Sequence, residues 1–379
     1  MTQPPLNTTS SLSPSQTEIE AVLRLIVPHP LLLDAHKKVR QALMLPEGYG
    51  ILLVVGPPGV GKSALASACR LADLSNPEAP DPLSPGSSPG SIPLVSVAAR
   101  TGTTFLSRWK NLLLDILKIT NPPLADAQGA GSSSSAPVPS GRGFETFSIP
   151  RLESAVIESL RYRKTVGVLV DEAQDLALFG SDVDSIQLAK SLKHLGSAAE
   201  SVLVLFGSYS LLSFLDLSAQ LSRRCTVVHL PRYDVNKPAD SANFQRVLST
   251  FCEVAPTLLP YAQLSLEFPL LYTGSAGGTG NLRLWLVRAV GNAISAGAPC
   301  VTAAHLRAEI MADATIRQVL GAAQSGEALF GKLYSALDAT IASVFTGVPF
   351  ATSSSSRPSG SRYHPGKRNP QRDSTAAVA

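Results

Sequence analysis

The chain has 379 residues, 44% of them apolar, enough to bury one large core or two medium ones. Its longest apolar runs, Ile51–Val55 and Val202–Phe206, have the length of buried strands and fall far short of the ~18 residues a membrane span needs. No membrane partner is expected. The net charge of +4 is concentrated at the end: Arg357, Arg362, Lys367, Arg368 and Arg372 stand against one acid, Asp373, which leaves the remainder formally neutral. Attraction to a polyanion must therefore come from local basic patches or from this tail.

Residues 1–19 are rich in Ser, Thr and Pro and are expected to be disordered, because such residues cannot repay their ordering entropy by burial. They lack a basic region running into an apolar stretch, so no secretory leader is expected and a cytoplasmic location is. Cys69, Cys225, Cys252 and Cys300 are widely spaced and show no metal-ligand pattern, as reduced, mostly buried thiols would be.

From residue 20 to 232, strands alternate with helices. The pattern predicts strands at 51–55, 94–98, 166–170 and 202–206, and helices at 62–72, 104–117, 149–161 and 184–195. Uninterrupted apolar strands of this kind are buried on both faces, which implies a parallel sheet flanked by helices. Two Ser/Pro/Gly-rich stretches, 76–91 and 122–143, read as surface insertions. After Pro231 the strand runs stop, and helices are expected at 244–252, 282–296, 302–316 and 329–345. The fold class is thus α/β, a parallel sheet flanked by helices over 20–232 followed by a small all-helical lid over 233–346, with a disordered Ser/Arg-rich tail at 347–379.

Gly56-Pro57-Pro58-Gly59-Val60-Gly61-Lys62-Ser63 fits G-x-x-x-x-G-K-[ST], and with Ala64 it lies where that motif must lie, after a strand and opening a helix. Glycines let such a loop close round phosphate oxygens and turn its backbone N–H groups inward. Lys62 is expected on the β- and γ-phosphates of ATP, and Ser63 on Mg²⁺. The strand 166–170 runs into Asp171-Glu172, an acidic pair at the carboxyl end of a buried parallel strand. Asp171 is expected to hold Mg²⁺ through water, and Glu172 to orient or deprotonate the attacking water.

Ser208, after the strand 202–206, is a candidate partner for the γ-phosphate or that water. Arg223 and Arg224 are candidates for a guanidinium presented to a neighbouring subunit's ATP. Gly274–Gly280 has no strand before it and is not a second nucleotide loop. Arg283, in the first turn of the following helix, is placed to fold back onto the γ-phosphate.

These motifs resemble AAA+ ATPases. More narrowly, Asp171-Glu172-Ala173-Gln174-Asp175-Leu176, the Arg100-Thr101-Gly102-Thr103-Thr104 turn, Phe206-Gly207-Ser208 and Gly280-Asn281-Leu282-Arg283 are similar to TnsC/TniB-type transposition regulators, over roughly residues 20–315. The resemblance implies a protein that oligomerises as a ring or filament on double-stranded DNA when ATP is bound. It also implies recruitment of a transposase, with a target-selection protein as a further candidate partner. It places Arg100, Thr101, Arg108 and Lys110 on the DNA backbone, where basic and hydroxyl side chains position a protein without reading bases. The two insertions and the tail depart from that family. The alternatives are a AAA+ ATPase of another pathway, such as a replication initiator or secretion ATPase, and a nucleotide-dependent assembly switch that binds no DNA.

Overall fold

The computed structural model describes residues 14–46, 50–72, 74, 83, 90–121, 144–177, 182–217 and 222–335. Most of both expected insertions, and the whole tail, lie outside the described residues. Two compact units divide the chain at residue 330, and the second contributes only the described stretch 331–335.

Five parallel strands form the centre: β1 (Ile51–Val55), β2 (Leu94–Ala98), β3 (Gly167–Asp171), β4 (Val202–Gly207) and β5 (Cys225–His229), in the order β2-β3-β4-β1-β5. The alternation of a strand explains how one run serves two layers. Ile51, Leu53 and Val55 of β1 join one apolar cluster, with Trp109, Leu113 and Leu192, while Leu52 and Val54 join the other, with Val39 and Leu65. The first cluster is closed by α4 (Phe105–Thr120), α5 (Ile149–Tyr162) and α7 (Asp182–Ala199). The second is closed by α2 (Pro30–Met44) and α3 (Lys62–Ala68).

Helix α4 shows why these segments fold as they do. Thr104 caps it, exchanging hydrogen bonds with Ser107, and Phe105, Trp109, Leu112, Leu113, Ile116 and Leu117 fall on one buried stripe.

Two features differ from expectation. A helix α1 (Pro14–Arg24) begins inside the segment assigned to a disordered terminus, because Val22, with Ile19 beside it, packs into the apolar cluster of the helical region. The edge strand β5 also went unrecognised. The helical region comprises α9 (Pro238–Val254), α10 (Tyr261–Leu264), α11 (Phe268–Ser275), α12 (Thr279–Ser295), α13 (Ala303–Ala308) and α14 (Asp313–Ser335). Short helices α6 (Gln174–Ala177) and α8 (Phe214–Leu217) precede it in the α/β region. The helix expected at 302–316 is two helices, and 336–345 falls outside the described residues. Trp285, Phe244 and Phe251 form the core of this region together with Val22 and Val27.

Candidate active site

Parallel strands deliver their carboxyl ends to one edge, and β3, β4 and β1 are neighbours there. The tips of β1 and β3 are two strand spacings apart, about 10 Å, which a triphosphate with its metal spans. Gly56 begins the loop after β1, its N–H donating to Gly207 O at the β4 tip at 3.3 Å. Gly59 (φ 74°) and Gly61 (φ 104°) occupy the left-handed region that favours glycine, and Gly61 caps α3 without a side chain. Pro57 is buried, Pro58 exposed, and Val60 packs into the core at 2% exposure, so the loop is pinned at its centre.

Lys62 is half-buried. Its Nζ donates to Gly56 O at 3.1 Å and Pro57 O at 2.8 Å. Burial pushes its ammonium below the usual lysine range, while the carboxylates of Glu172 and Asp171 act in the opposite direction. The lysine of the loop and the acidic pair thus share one electrostatic neighbourhood. Ser63 is exposed at the start of α3, and Ala64 is partly buried behind it.

Asp171 ends β3 and accepts the Glu172 N–H on Oδ1 at 2.9 Å. Glu172 turns the chain out of the sheet at φ 51°, a conformation uncommon for a non-glycine residue, and its side chain is exposed. The turn is held by Ala173 N–H donating to Phe206 O at 2.8 Å. Ser208 is partly buried at the β4 tip, its hydroxyl 2.8 Å from that of Ser210. Between these tips lies a residue that sequence reasoning passed over. Gln174 donates from Nε2 to Glu172 Oε2 and accepts the Ser208 N–H on Oε1 at 3.2 Å.

The glycine-rich stretch 274–280 is the connection from α11 to α12, and it packs against the phosphate loop. Asn281 N–H donates to Gly59 O at 2.9 Å, and the Thr279 hydroxyl donates to Val60 O at 3.0 Å. The same Thr279 oxygen lies 3.4 Å from His29 Nε2, and the Tyr233 hydroxyl lies 2.9 Å from His29 Nδ1. His29 is buried, which lowers its pKa to about 4. Only the run of glycines hinted at this contact, because the residues it joins lie over 200 positions apart.

The remaining candidates lie elsewhere. Arg283 is partly buried and donates from Nε to Val22 O of α1 at 3.4 Å. Arg223 and Arg224 are exposed at the amino end of β5, where Arg224 donates to Ser197 Oγ at 3.0 Å. That is the end of the sheet opposite the phosphate loop, since Cys225 pairs with Ile51 and His229 with Val55. Arg100 is exposed and paired with Asp115 (Nε–Oδ2 2.7 Å, Nη2–Oδ1 2.9 Å), and Thr101 is exposed. Lys110 donates to Glu145 O at 2.7 Å. Arg108 corrects the expectation of a surface contact: it is 9% exposed and donates inward from Nη1 to Asp175 O at 3.0 Å, bracing the turn after Glu172.

The donor set fits a magnesium triphosphate. Magnesium keeps most of its water and takes few protein ligands, and Ser63 with Asp171 would supply that number beside a glycine cradle. No cluster of three or more His, Cys, Asp or Glu side chains suited to a metal occurs among the described residues, and no described helix is long and apolar enough to cross a membrane.

Residues 45–215 match the family model described as AAA domain. No curated protein matches the chain. Among solved structures, the ADP form of the Aeropyrum pernix ORC2 protein is similar at 16% identity and a TM-score of 0.49, over 76% of this chain and 71% of that one. A Walker-type ATPase of Pyrococcus abyssi aligns at 17% identity and a TM-score of 0.45, over 82% and 76%. Domain III of the Thermotoga maritima replication initiation protein DnaA aligns at 15% and 0.45, over 80% and 100%.

The matched segment runs through the phosphate loop, Asp171, Glu172 and Ser208, and with the parallel sheet it defines the class: a P-loop ATPase of the AAA+ fold. A helical region follows the sheet.

Proposed function

We propose that the protein is an ATP-dependent regulator of DNA transposition that assembles on double-stranded DNA and recruits or activates a transposase. The observation that carries the ATP-dependent part is the convergence on Lys62 of the loop that would hold the phosphates and the two carboxylates that would manage metal and water. Lys62 would neutralise the phosphates, Glu172 would accept a proton from the attacking water, and Ser208 would hold that water or the γ-phosphate. Magnesium, when bound by Ser63 and Asp171, supplies charge neutralisation at the phosphate oxygens.

Self-assembly is supported by the arginine pair. Arg223 and Arg224 stand a strand length, roughly 15 Å, from their own phosphate loop, so the nucleotide they would reach is a neighbouring subunit's. DNA is supported by the exposed Arg100–Thr101 turn, which follows β2 directly and is bonded to the acidic strand through Ala99 N–H to Asp171 O at 2.8 Å. The role in transposition rests on the motif resemblance.

The test is ATP hydrolysis with and without duplex DNA, paired with electron microscopy in a slowly hydrolysed ATP analogue. DNA-stimulated turnover and nucleotide-dependent rings or filaments on DNA are expected. Unstimulated turnover with assembly in the absence of DNA would instead favour a protein-assembly switch.

A further inference from the structure

Gln174 is the one side chain of the described residues that bridges the acidic tip of β3 and the serine tip of β4. A glutamine amide has a donating end and an accepting end, and here the ends go to different strands. Nε2 donates to Glu172 Oε2, and Oε1 accepts the N–H of Ser208 at 3.2 Å. The backbone beneath it is anchored separately, by Ala173 N–H on Phe206 O at 2.8 Å and by Arg108 Nη1 on Asp175 O at 3.0 Å. The fit is close: a Cβ on Gly207 would stand 2.5 Å from Gln174 Oε1, so glycine at 207 lets the amide lie against the β4 tip.

Glu172 needs such a partner. Its exposed side chain projects from a left-handed turn at φ 51°. A general base works only when its oxygen lies within hydrogen-bond reach of the proton it takes.

We infer that Gln174 is the positioning residue for the Glu172 carboxylate. Its amide fixes Oε2 relative to the tip where Ser208 stands and leaves Oε1 to face water. The arrangement ties the two tips that flank the attacking water into one unit, so Glu172 and Ser208 move together. This rests on the reading of Glu172 as the group that activates water.

The experiment is steady-state ATP hydrolysis by the full chain with magnesium, with kcat and KM measured separately across pH. The variants are Gln174→Met, Gln174→Glu and Glu172→Gln. Gln174→Met keeps the volume and removes both hydrogen bonds; kcat should fall about tenfold or more while KM for ATP changes less than about threefold. Gln174→Glu replaces the donating amide by a group that repels the Glu172 carboxylate, so kcat should fall at least as far as in Gln174→Met.

A Gln174→Met kcat within about twofold of the parent, or a loss of kcat matched by a loss of ATP affinity, overturns the inference. Parental turnover in Glu172→Gln overturns the underlying reading of the site instead. Lost turnover there beside intact turnover in Gln174→Met removes the positioning role alone.

Discussion

The backbone N–H of Asn281 donates to the carbonyl oxygen of Gly59 at 2.9 Å, which joins the first turn of α12 to the centre of the phosphate loop. The approach leaves no room for side chains. A Cβ on Gly278 would lie 2.7 Å from Gly59 O, one on Gly280 would lie 2.8 Å from the same oxygen, and one on Gly59 would collide with the Asn281 side chain. Gly278→Ala should therefore push the helical region off the loop, costing about 1–3 kcal/mol and weakening ATP binding. Gly291→Ala, inside α12 with nothing within 4 Å of its Cβ, should stabilise by about 0.5–1 kcal/mol. Thermal melting and ATP titration of the two variants check the contrast; equal behaviour would mean that the contact with Gly59 does not matter.

Lys62 and Glu172 separate binding from turnover. Lys62→Ala removes the charge that neutralises the phosphates and should abolish ATP binding together with ATP-dependent association with DNA. Glu172→Gln keeps the shape and loses the proton acceptor, so it should bind ATP, turn over about 10²–10⁴-fold more slowly and stay assembled on DNA. Equilibrium binding of a fluorescent ATP analogue, measured beside phosphate release, distinguishes the two. Tight binding by Lys62→Ala would remove its phosphate role, and an unchanged rate in Glu172→Gln would move water activation to another group.

How much of this was legible in the sequence follows from how local each signal is. The phosphate loop and Asp171-Glu172 are short strings at the ends of apolar runs, and β1 and β4, buried at every residue, read plainly. Strand β5 did not, because Cys-Thr-Val-Val-His at the sheet edge is buried only at Val228 and so has no continuous apolar run. Helix α1 was hidden by a Ser/Thr/Pro-rich context, and its packing against the helical region is a long-range contact. Gln174 was visible as a letter, but its partner Ser208 lies 34 residues on. Arg108 looked like a surface base because helical spacing alone did not reveal that its guanidinium turns inward to Asp175.

Arg100 is the exposed cation of the turn after β2, and Asp115 already holds it by two contacts. The pair is largely solvated on the arginine side, 59% exposed, so it contributes no more than about 1 kcal/mol to folding. Arg100→Ala should thus leave the melting temperature nearly unchanged. It should weaken DNA association and reduce the slope of log K against log salt by about one. Asp115→Asn should act in the opposite direction by releasing the guanidinium to phosphate. Fluorescence anisotropy on duplex DNA over a salt series measures both, and an unaltered slope in Arg100→Ala would place the DNA contact on another surface.

His29 makes the contact between the phosphate loop and the helical region sensitive to acid. Its Nδ1 lies 2.9 Å from the Tyr233 hydroxyl and accepts the Leu32 N–H at 3.4 Å, capping α2, while Nε2 faces Thr279, whose hydroxyl donates to Val60 O. The neutral ring suits that pattern, and burial lowers its pKa from 6.5 to about 4. The unfolded chain therefore binds the proton more tightly, and stability must rise with pH between those values. The contribution is full above the unfolded value of 6.5 and is lost as pH falls through 4, up to about 3 kcal/mol in all. His229, also lowered to about 4 by burial, acts with the same sign. His29→Asn keeps an acceptor for the Leu32 N–H and removes the titration, so its stability should change less over that window than the parent's. Urea unfolding at a series of pH values measures this, and parallel curves for parent and variant would show that His29 is not the acid-sensitive group.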